Sequence, residues 1–173
     1  MDYKKAKGWL RDEERQCLYD AASMCNSSIL NIGVEMGASV AALHEGNLRV
    51  ELDAIDIDLS NIDPDLQVVL SSEVNLIEAD SHTFDFTFSA YGLIFIDGDH
   101  SYAGVKADIE NILPFLEKGG TVIFHDCYDY ADPKQIHRLC PGVNQAVEEW
   151  YGANCSEFTE LPSVGTMRVF LRR

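Results

Sequence analysis

The chain has 173 residues, of which 46% are hydrophobic, and its 29 acidic against 13 basic side chains give a formal net charge of −16. This length suits one domain that buries roughly 70% of the surface of the unfolded chain, so we expect a single domain over residues 1–173. The acidic balance disfavours contact with a phosphate backbone. We therefore expect no nucleic-acid partner.

The location of the protein is indicated by what the sequence lacks. No apolar run is long enough to cross a membrane, and the first ten residues are polar and carry lysines, unlike a signal peptide. The five cysteines form no Cys-x-x-Cys pair and have no histidines of zinc spacing near them. We expect a cytoplasmic protein with reduced thiols and no membrane partner.

The first elements in chain order are a helix, a strand, a glycine loop and a second helix. An acidic turn at Asp12 begins an amphipathic helix that reaches Cys25. Residues 29–33 form a short apolar strand, and the loop after it leads into a helix that ends at Gly46. This order is the layout of a nucleotide-binding unit.

Each of the next three predicted strands ends in a carboxylate. These strands are predicted at residues 49–57, 75–79 and 93–96. Asp56, Asp80 and Asp97 mark their ends. Because the carboxyl ends of parallel strands form the ligand crevice of an open α/β sheet, we expect these acids to line one crevice.

Two helices are predicted in this middle part of the chain. Asp63 is the expected N-cap of a helix whose first residue is Pro64. A longer helix carries Val105, Ile109 and Leu116 on one face, and Lys118-Gly-Gly is expected to end it.

The last part of the chain completes the predicted sheet. Residues 121–124 form a fifth strand ending at His125-Asp126, and a further helix lies at 143–150. Strands at 157–161 and 166–171 form a hairpin through Pro-Ser-Val-Gly. The expected fold class is α/β, with a Rossmann-like, seven-stranded, mainly parallel sheet, helices on both faces and a C-terminal antiparallel hairpin.

The glycine loop is the first candidate for ligand binding. Gly33 and Gly37 would let the backbone approach a ligand closely, and Ser39 could cap the helix behind them. The Gly-x-x-x-Gly spacing differs from the Gly-x-Gly-x-x-Gly of dinucleotide binders. Turn chemistry alone explains two such glycines equally well.

Two strand ends could complete a nucleoside site. Asp56 follows the glycine loop by about twenty residues, where an acid can accept hydrogen bonds from ribose hydroxyls. Asp58 is the nearby competitor for this role, and the alternative for such an acid is a helix N-cap or a solvated loop. Asp80 and Ser81 could contact the exocyclic nitrogen of a base, although Ser81 could equally cap a helix.

A second group of residues could carry the chemistry. Asp97, His125 and Asp126 end neighbouring strands and could share one Mg²⁺ ion. His100 lies three residues after Asp97, where a neutral imidazole could remove the proton of a hydroxyl. Cys127 is disfavoured as a nucleophile because the surrounding acids would raise the pKa of its thiol. Residues 127–142 show no period and are predicted to be a mobile loop over the crevice.

Several spaced motifs resemble the class I S-adenosylmethionine-dependent methyltransferases. Within that family they are most similar to the branch of macrocin-type sugar O-methyltransferases and cephalosporin hydroxylase-like proteins. The resemblance covers residues 14–150. Its motifs are Ile-Asp-Gly-Asp-His-Ser-Tyr at 96–102, Val-Lys-Ala-Asp at 105–108, Pro114, Gly119-Gly120, Phe124-His-Asp126 and Gly-Val-Asn-Gln-Ala-Val-Glu-Glu-Trp at 142–150.

The resemblance implies roles for the candidate residues. S-adenosyl-L-methionine would lie at the Gly33–Gly37 loop, and the strand-end residues Asp56, Asp80, Ser81 and Asp97 would complete its site. In metal-dependent relatives an acid at the position of Asp97 and an acidic pair after the fifth strand hold Mg²⁺. His100 matches the base of that family. Asn31 replaces an acid before the glycine loop, and His125 replaces the first acid of the pair.

The function expected from these residues is Mg²⁺-assisted O-methylation of a small hydroxylated acceptor of sugar or natural-product type. The alternatives are an inactive module that binds S-adenosylmethionine or another nucleotide, a nicotinamide-dependent oxidoreductase and a metal-dependent hydrolase. Trp9 and Trp150 are expected to pack in the interior, with a homodimer interface as the alternative.

Overall fold

A computed structural model describes residues 2–87, 89–127 and 140–173. The α-helices in this part of the chain are α1 (Asp12–Met24), α2 (Ala38–Gly46), α3 (Pro64–Glu73), α4 (Tyr102–Ile112) and α5 (Pro141–Asn154). The β-strands are β1 (Ile29–Ile32), β2 (Leu52–Asp56), β3 (Asn75–Glu78), β4 (Tyr91–Ile96), β5 (Leu116–Phe124), β6 (Phe158–Val164) and β7 (Met167–Arg172). Asp63 caps α3 as predicted, because its side chain accepts a hydrogen bond from the Asp65 N–H.

The strands form one sheet in the order β3-β2-β1-β4-β5-β7-β6. Strands β1 to β5 are parallel, and β7 runs antiparallel to both of its neighbours. The predicted fold class, including the C-terminal hairpin, is therefore confirmed. The chain order reverses between β1 and β4, which is where an open α/β sheet forms its ligand crevice.

The two faces of the sheet bury separate apolar clusters. One cluster joins Leu18, Leu43 and Leu70 of the first three helices to Ile29 and Phe95 of the sheet. The other joins residues of α4 and α5 to the alternate positions of the same strands, such as Leu30 and Ile94. Because successive strand residues face opposite sides, the apolar run of β4 is buried on both faces, as its sequence predicts.

The predicted end of the fourth helix is wrong. α4 ends at Ile112, a 3₁₀ turn over Leu113–Phe115 follows, and β5 begins at Leu116. Pro114 lacks an N–H and cannot continue an α-helix. Lys118-Gly-Gly therefore lies inside a strand, where Gly119 has φ +78° and the pairing of β4 with β5 shifts register.

The predicted hairpin turn is also displaced. β6 runs to Val164, so Pro162 and Ser163 lie within the strand, at a shift in its register with β7. The turn falls at Gly165, whose φ is +57°. The loop predicted over the crevice falls largely on residues 128–139, outside the described residues.

The two tryptophans have different surroundings. Trp150 packs against Phe124, Phe158 and Phe170, with ring centroids 4.8 to 5.4 Å apart. Trp9 is 81% exposed, so the expectation that it packs in the interior is wrong. Among the described residues, none of the helices has the length and apolarity needed to cross a bilayer.

Candidate active site

A cleft of 550 Å³ lies at the carboxyl ends of the parallel strands. Most of the residues predicted for the site line it, namely Gly33, Asp56, Asp80, Ser81, Asp97, His100, His125 and Asp126. Gly37 and Ser39 do not line this cleft. A larger groove of 830 Å³ lies between α1 and the β5–β7–β6 end of the sheet, but none of the predicted site residues lines it.

Gly33 is required by the crossing of two backbones. Its φ is +83°, and a Cβ atom at this position would lie 1.9 Å from the backbone oxygen of Asp97. The carbonyl of Gly33 accepts a hydrogen bond of 2.9 Å from the buried amide of Asn31. The glycine therefore lets the end of β1 pack against the end of β4, whether or not a ligand is bound.

Ser39 does not cap α2, contrary to the prediction. The N-cap is Gly37, with φ +93°, and it makes no side-chain capping hydrogen bond. Because the helix already begins at Ala38, Ser39 falls inside its first turn and is buried. A Cβ at Gly37 would face Leu70 of α3 at 3.4 Å, so this glycine serves the turn and its packing.

The carboxylate of Asp56 organises the glycine loop. Its Oδ2 accepts hydrogen bonds from the backbone N–H groups of Val34 at 2.7 Å and Glu35 at 3.0 Å. Its Oδ1 accepts one from Asp58 at 3.0 Å. A carboxylate has about four lone-pair sites, so these three bonds leave about one site, on Oδ1, for a ribose hydroxyl. The ribose contact stays a prediction.

Ser81 reaches away from its own turn to a buried acid. Its Oγ donates to Asp108 Oδ1 at 2.7 Å, and burial raises the pKa of Asp108. Ser81 caps no helix, since the described residues between β3 and β4 form turns. Asp80 accepts a hydrogen bond from the His82 N–H at 3.0 Å. The base contact of both residues stays a prediction.

Four side chains from the ends of β4 and β5 converge in the cleft. His100 Nε2 lies 3.0 Å from Asp97 Oδ1 and 3.6 Å from Asp126 Oδ2. His125 Nδ1 lies 3.1 Å from the same Asp97 oxygen and 3.7 Å from Asp126 Oδ1. The hydrogen bond with Asp97 raises the pKa of His100 against the opposing effect of burial. The contact with Asp97 therefore fixes the orientation of the His100 ring in the cleft.

Glu14 is the site residue that the sequence analysis missed. It is 1% exposed, and its Oε2 lies 3.4 Å from His125 Nε2. Its Oε1 accepts hydrogen bonds from the N–H and Oγ1 of Thr166 at 2.8 and 2.9 Å. The helix pattern places an acid in the first turn of α1, but it gives no sign of a partner 111 residues away.

The pair of Glu14 and His125 has strongly shifted pKa values. Burial alone would raise the pKa of Glu14, but hydrogen bonds from His125 and from the Arg11 and Thr166 N–H groups lower it to about 2. Burial alone would lower the pKa of His125, but its hydrogen bonds with Asp97 and Glu14 raise it to about 10. In the absence of a metal ion, both shifts favour a protonated His125 between two ionised carboxylates.

Two residues beside the cleft have unusual backbone conformations. Asp126 has φ +54° and Glu35 has φ +47°. These values lie in the left-handed region, which residues other than glycine seldom adopt. Glu35 Oε1 accepts a hydrogen bond of 3.4 Å from the indole of Trp9, which lines the cleft. Such conformations cluster at functional sites.

The residues predicted as metal ligands fit a divalent cation. Ligand atoms of Asp97, His125 and Asp126 lie within 4.8 Å of one another, and those of His100, Asp126 and Cys140 form a second such group. Two of the first three are carboxylates, the ligand type that hard divalent ions prefer. The predicted convergence of Asp97, His125 and Asp126 is confirmed, and the identity of the ion stays a prediction.

Comparison with known proteins identifies a family that matches this chain. A family model described as a methyltransferase domain matches residues 30–127. A curated relative, an uncharacterized protein of Acanthamoeba polyphaga mimivirus, is 37% identical over 57 residues. That match spans 33% of this chain and 24% of the relative's length.

Three solved structures share the fold. A Staphylococcus aureus protein described as a caffeoyl-CoA O-methyltransferase is 16% identical, with TM-score 0.73 and coverage of 96% of this chain and 86% of that one. CalS11, the TDP-rhamnose 3'-O-methyltransferase of calicheamicin biosynthesis, is 21% identical, with TM-score 0.63 and coverages of 91% and 76%. The Podospora anserina methyltransferase PaMTH1, solved with S-adenosylhomocysteine, is 15% identical, with TM-score 0.63 and coverages of 95% and 80%.

Proposed function

Because this chain belongs to the family of class I S-adenosylmethionine-dependent methyltransferases, we propose that it methylates a hydroxyl oxygen of a small molecule of sugar or natural-product type. The observation that carries the proposal is the 3.0 Å contact of His100 Nε2 with Asp97 Oδ1, in the same cleft as Asp56. Two structural neighbours, described as a caffeoyl-CoA and a TDP-rhamnose O-methyltransferase, support a hydroxylated acceptor.

The methyl donor lies in the part of the cleft between β1, β2 and β3. A hydroxyl of its ribose donates to the free lone pair of Asp56, and its adenine lies near Asp80 and Ser81, which line the same cleft. Asp97 ends β4 beside the glycine loop, since its backbone oxygen faces Gly33. The sulfonium methyl group would then point towards His100.

His100 acts as the general base. Nε2 of the neutral ring donates a hydrogen bond to Asp97 Oδ1, and Nδ1 removes the proton of the acceptor hydroxyl. The hydroxyl oxygen attacks the methyl carbon, and the carbon–sulfur bond breaks as the new carbon–oxygen bond forms. S-adenosylhomocysteine and the methyl ether are the products, and the proton stays on His100 until solvent removes it. Holding the two reactants in the right orientation supplies much of the rate increase over the uncatalysed reaction.

A divalent cation is the third part of the proposal. Asp97, His125 and Asp126 would hold it, and a bound ion, Mg²⁺ in the prediction from the sequence, would lower the pKa of the acceptor hydroxyl. The net charge of −16 supports a small acceptor over a nucleic acid. We also propose a cytoplasmic location.

The test is methyl transfer to a panel of sugar nucleotides, glycosides and phenolic natural products, read as S-adenosylhomocysteine formed and as product mass. We expect turnover, with kcat rising with pH because the pKa of His100 lies above its ordinary value. His100→Ala should lower kcat by about 10²- to 10⁴-fold and leave S-adenosylmethionine affinity unchanged. His44→Gln is the matched control, because His44 pairs with Glu73 and does not line the cleft.

One outcome would favour the inactive binding module instead. The protein would bind S-adenosylmethionine without methylating any acceptor, and its affinity for S-adenosylmethionine would be indifferent to Mg²⁺ and unaffected by His100→Ala. If the protein bound neither S-adenosylmethionine nor S-adenosylhomocysteine, the proposed cofactor site itself would be wrong.

A further inference from the structure

We propose that the cation site of this cleft is built for a divalent transition-metal ion such as Co²⁺, Ni²⁺ or Zn²⁺ and discriminates against Mg²⁺. We further propose that Glu14 is the positioning residue that presents His125 as a nitrogen ligand. The inference rests on the proposed function for the purpose of the ion, but ion binding can be measured without methyl transfer.

The donor atoms are the first argument. His125 stands between the two carboxylates, with its Nδ1 at 3.1 Å from Asp97 Oδ1 and 3.7 Å from Asp126 Oδ1. It is 5% exposed, so an ion held by both acids could hardly avoid its ring. Mg²⁺ prefers oxygen ligands in near-octahedral geometry, whereas imidazole nitrogen suits zinc, copper, iron and nickel.

Further donors of the same softer kind surround Asp126. His100 Nε2 lies 3.6 Å from Asp126 Oδ2, and Cys140 Sγ lies 3.9 Å from that oxygen. These three residues form the second group of possible ligands, which shares Asp126 with the first. Nitrogen and sulfur donors thus face both oxygens of one carboxylate, which is an unfavourable set for Mg²⁺.

The position of Glu14 is the second argument. Its Oε2 faces His125 Nε2 at 3.4 Å, so a neutral ring that donates from Nε2 leaves the Nδ1 lone pair towards Asp97 and Asp126. Carboxylates that accept from the second nitrogen of a ligating histidine fix its tautomer and increase its basicity. Glu14 cannot turn away, because the Arg11 N–H holds its Oε2 at 2.8 Å and Thr166 holds its Oε1.

The backbone makes room for this arrangement. A Cβ atom at Gly165 would lie 2.4 Å from Glu14 Oε1, so the turn between β6 and β7 can approach Glu14 only with glycine there. Asp126 takes φ +54°, which directs its side chain to the same cluster. Glu14 is therefore held between α1 and the β6–β7 turn, whereas His125 and Asp126 are positioned by the end of β5.

The first experiment measures ion binding on chelator-stripped protein by calorimetry, with Mg²⁺, Mn²⁺, Co²⁺ and Zn²⁺ each titrated alone. Nearly any site of nitrogen and oxygen donors prefers the transition ions to some degree. The decisive quantity is therefore the ratio of the Co²⁺ and Mg²⁺ dissociation constants in wild type and in His125→Asp. We expect His125→Asp to reduce this discrimination by at least about 10-fold, because an all-oxygen set suits Mg²⁺.

The second experiment tests Glu14. Glu14→Gln keeps the shape of the side chain but removes its charge, and we expect it to weaken Co²⁺ binding by about 10- to 100-fold. Glu13→Gln is the matched control, since the Glu13 side chain is 56% exposed and lies on the same helical turn. A third experiment uses His100→Ala protein, so that His125 is the imidazole that remains in the cluster. Pulsed electron paramagnetic resonance of its Mn²⁺ form should show a coupling to imidazole nitrogen, and adding His125→Asp should weaken that coupling.

Several results would overturn the inference. They are equal binding of Mg²⁺ and Co²⁺, an unchanged ratio in His125→Asp, or ion affinity that Glu14→Gln leaves intact. Each variant is also titrated with S-adenosylmethionine, whose retained affinity shows that the fold is intact. Ion selectivity without methyl transfer would support this inference and contradict the proposed function, so the two failures are distinguishable.

Discussion

The two halves of the cleft are built in different ways. In the half proposed for the methyl donor, carboxylates accept hydrogen bonds from backbone N–H groups no more than 22 residues away, as when Asp56 accepts from Val34 and Glu35. In the half with His100 and His125, side chains pair with one another across the fold. The Glu14 contacts join residues 111 and 152 positions apart. The first half is thus stabilised locally, whereas the second depends on the packing of the whole domain.

The largest expected effect comes from the point where the two halves meet. Gly33→Ala would place a Cβ 1.9 Å from the Asp97 carbonyl oxygen at a φ of +83°, so the two strand ends must separate. We expect a loss of at least about 3 kcal/mol in the free energy of unfolding, measured by urea denaturation, together with loss of both S-adenosylmethionine and ion binding.

Gly119→Ala is the control for this prediction. Gly119 also has a left-handed φ, +78°, but a Cβ there would meet no atom within 4 Å. Gly119→Ala should lower the free energy of unfolding by about 1–2 kcal/mol and leave the binding of S-adenosylmethionine and of the ion unchanged. Equal losses in the two variants would show that strain in the turn, and not contact between the two halves, makes Gly33 necessary.

The second effect concerns pH and only the His125 half. The pKa of His125 is raised to about 10 from its ordinary 6.5, so its contribution to stability is complete below pH 6.5 and is lost as pH rises through about 10. In chelator-stripped protein we expect the free energy of unfolding to fall by on the order of a few kcal/mol over this range. Glu14 has the opposite sign: its contribution is complete above pH 4.5 and is lost as pH falls towards about 2.

His125→Gln is the comparison for the alkaline range. The variant should be less stable at neutral pH, and its free energy of unfolding should lack the His125-linked fall above pH 6.5. The prediction fails if wild type and variant have the same slope in urea denaturation over the series of pH values.

The smallest effect should stay within the donor half. Asp56→Asn weakens the hydrogen bonds that hold the N–H groups of Val34 and Glu35 and removes the charge offered to the ribose. A hydrogen bond to a charged group contributes about 1.5–3 kcal/mol, so we expect S-adenosylmethionine affinity to fall by about 10- to 100-fold in calorimetry. Ion affinity should not change, and a parallel loss of it would contradict the division into two halves.

The same division explains what the sequence could predict. Strand ends marked by Asp56, Asp80 and Asp97 follow from chain order, because parallel strands bring their carboxyl ends together. The order of the elements also predicts the sheet and its C-terminal hairpin. The site roles of these residues remain predictions.

The features of the site and the fold that were not predicted depend on tertiary packing, which no local sequence pattern indicates. Glu14 is an ordinary first-turn acid until α1 lies against the β6–β7 turn. Trp9 has a large apolar side chain of the kind expected in a core, but it is 81% exposed at the cleft. Lys118-Gly-Gly resembles a helix end, yet Pro114 ends the helix earlier and the glycines enter β5.

The contact between Glu14 and Thr166 also sets an order of events during synthesis. Domains fold as units while the ribosome extends the chain at about 5–20 residues per second. Residues 29–124, which form β1 to β5, leave the ribosome before β7, but the carboxylate of Glu14 has no partner on the hairpin until residue 166 has emerged. Because a domain folds as a unit, the Glu14–His125 pair would reach its final arrangement only with the last strand.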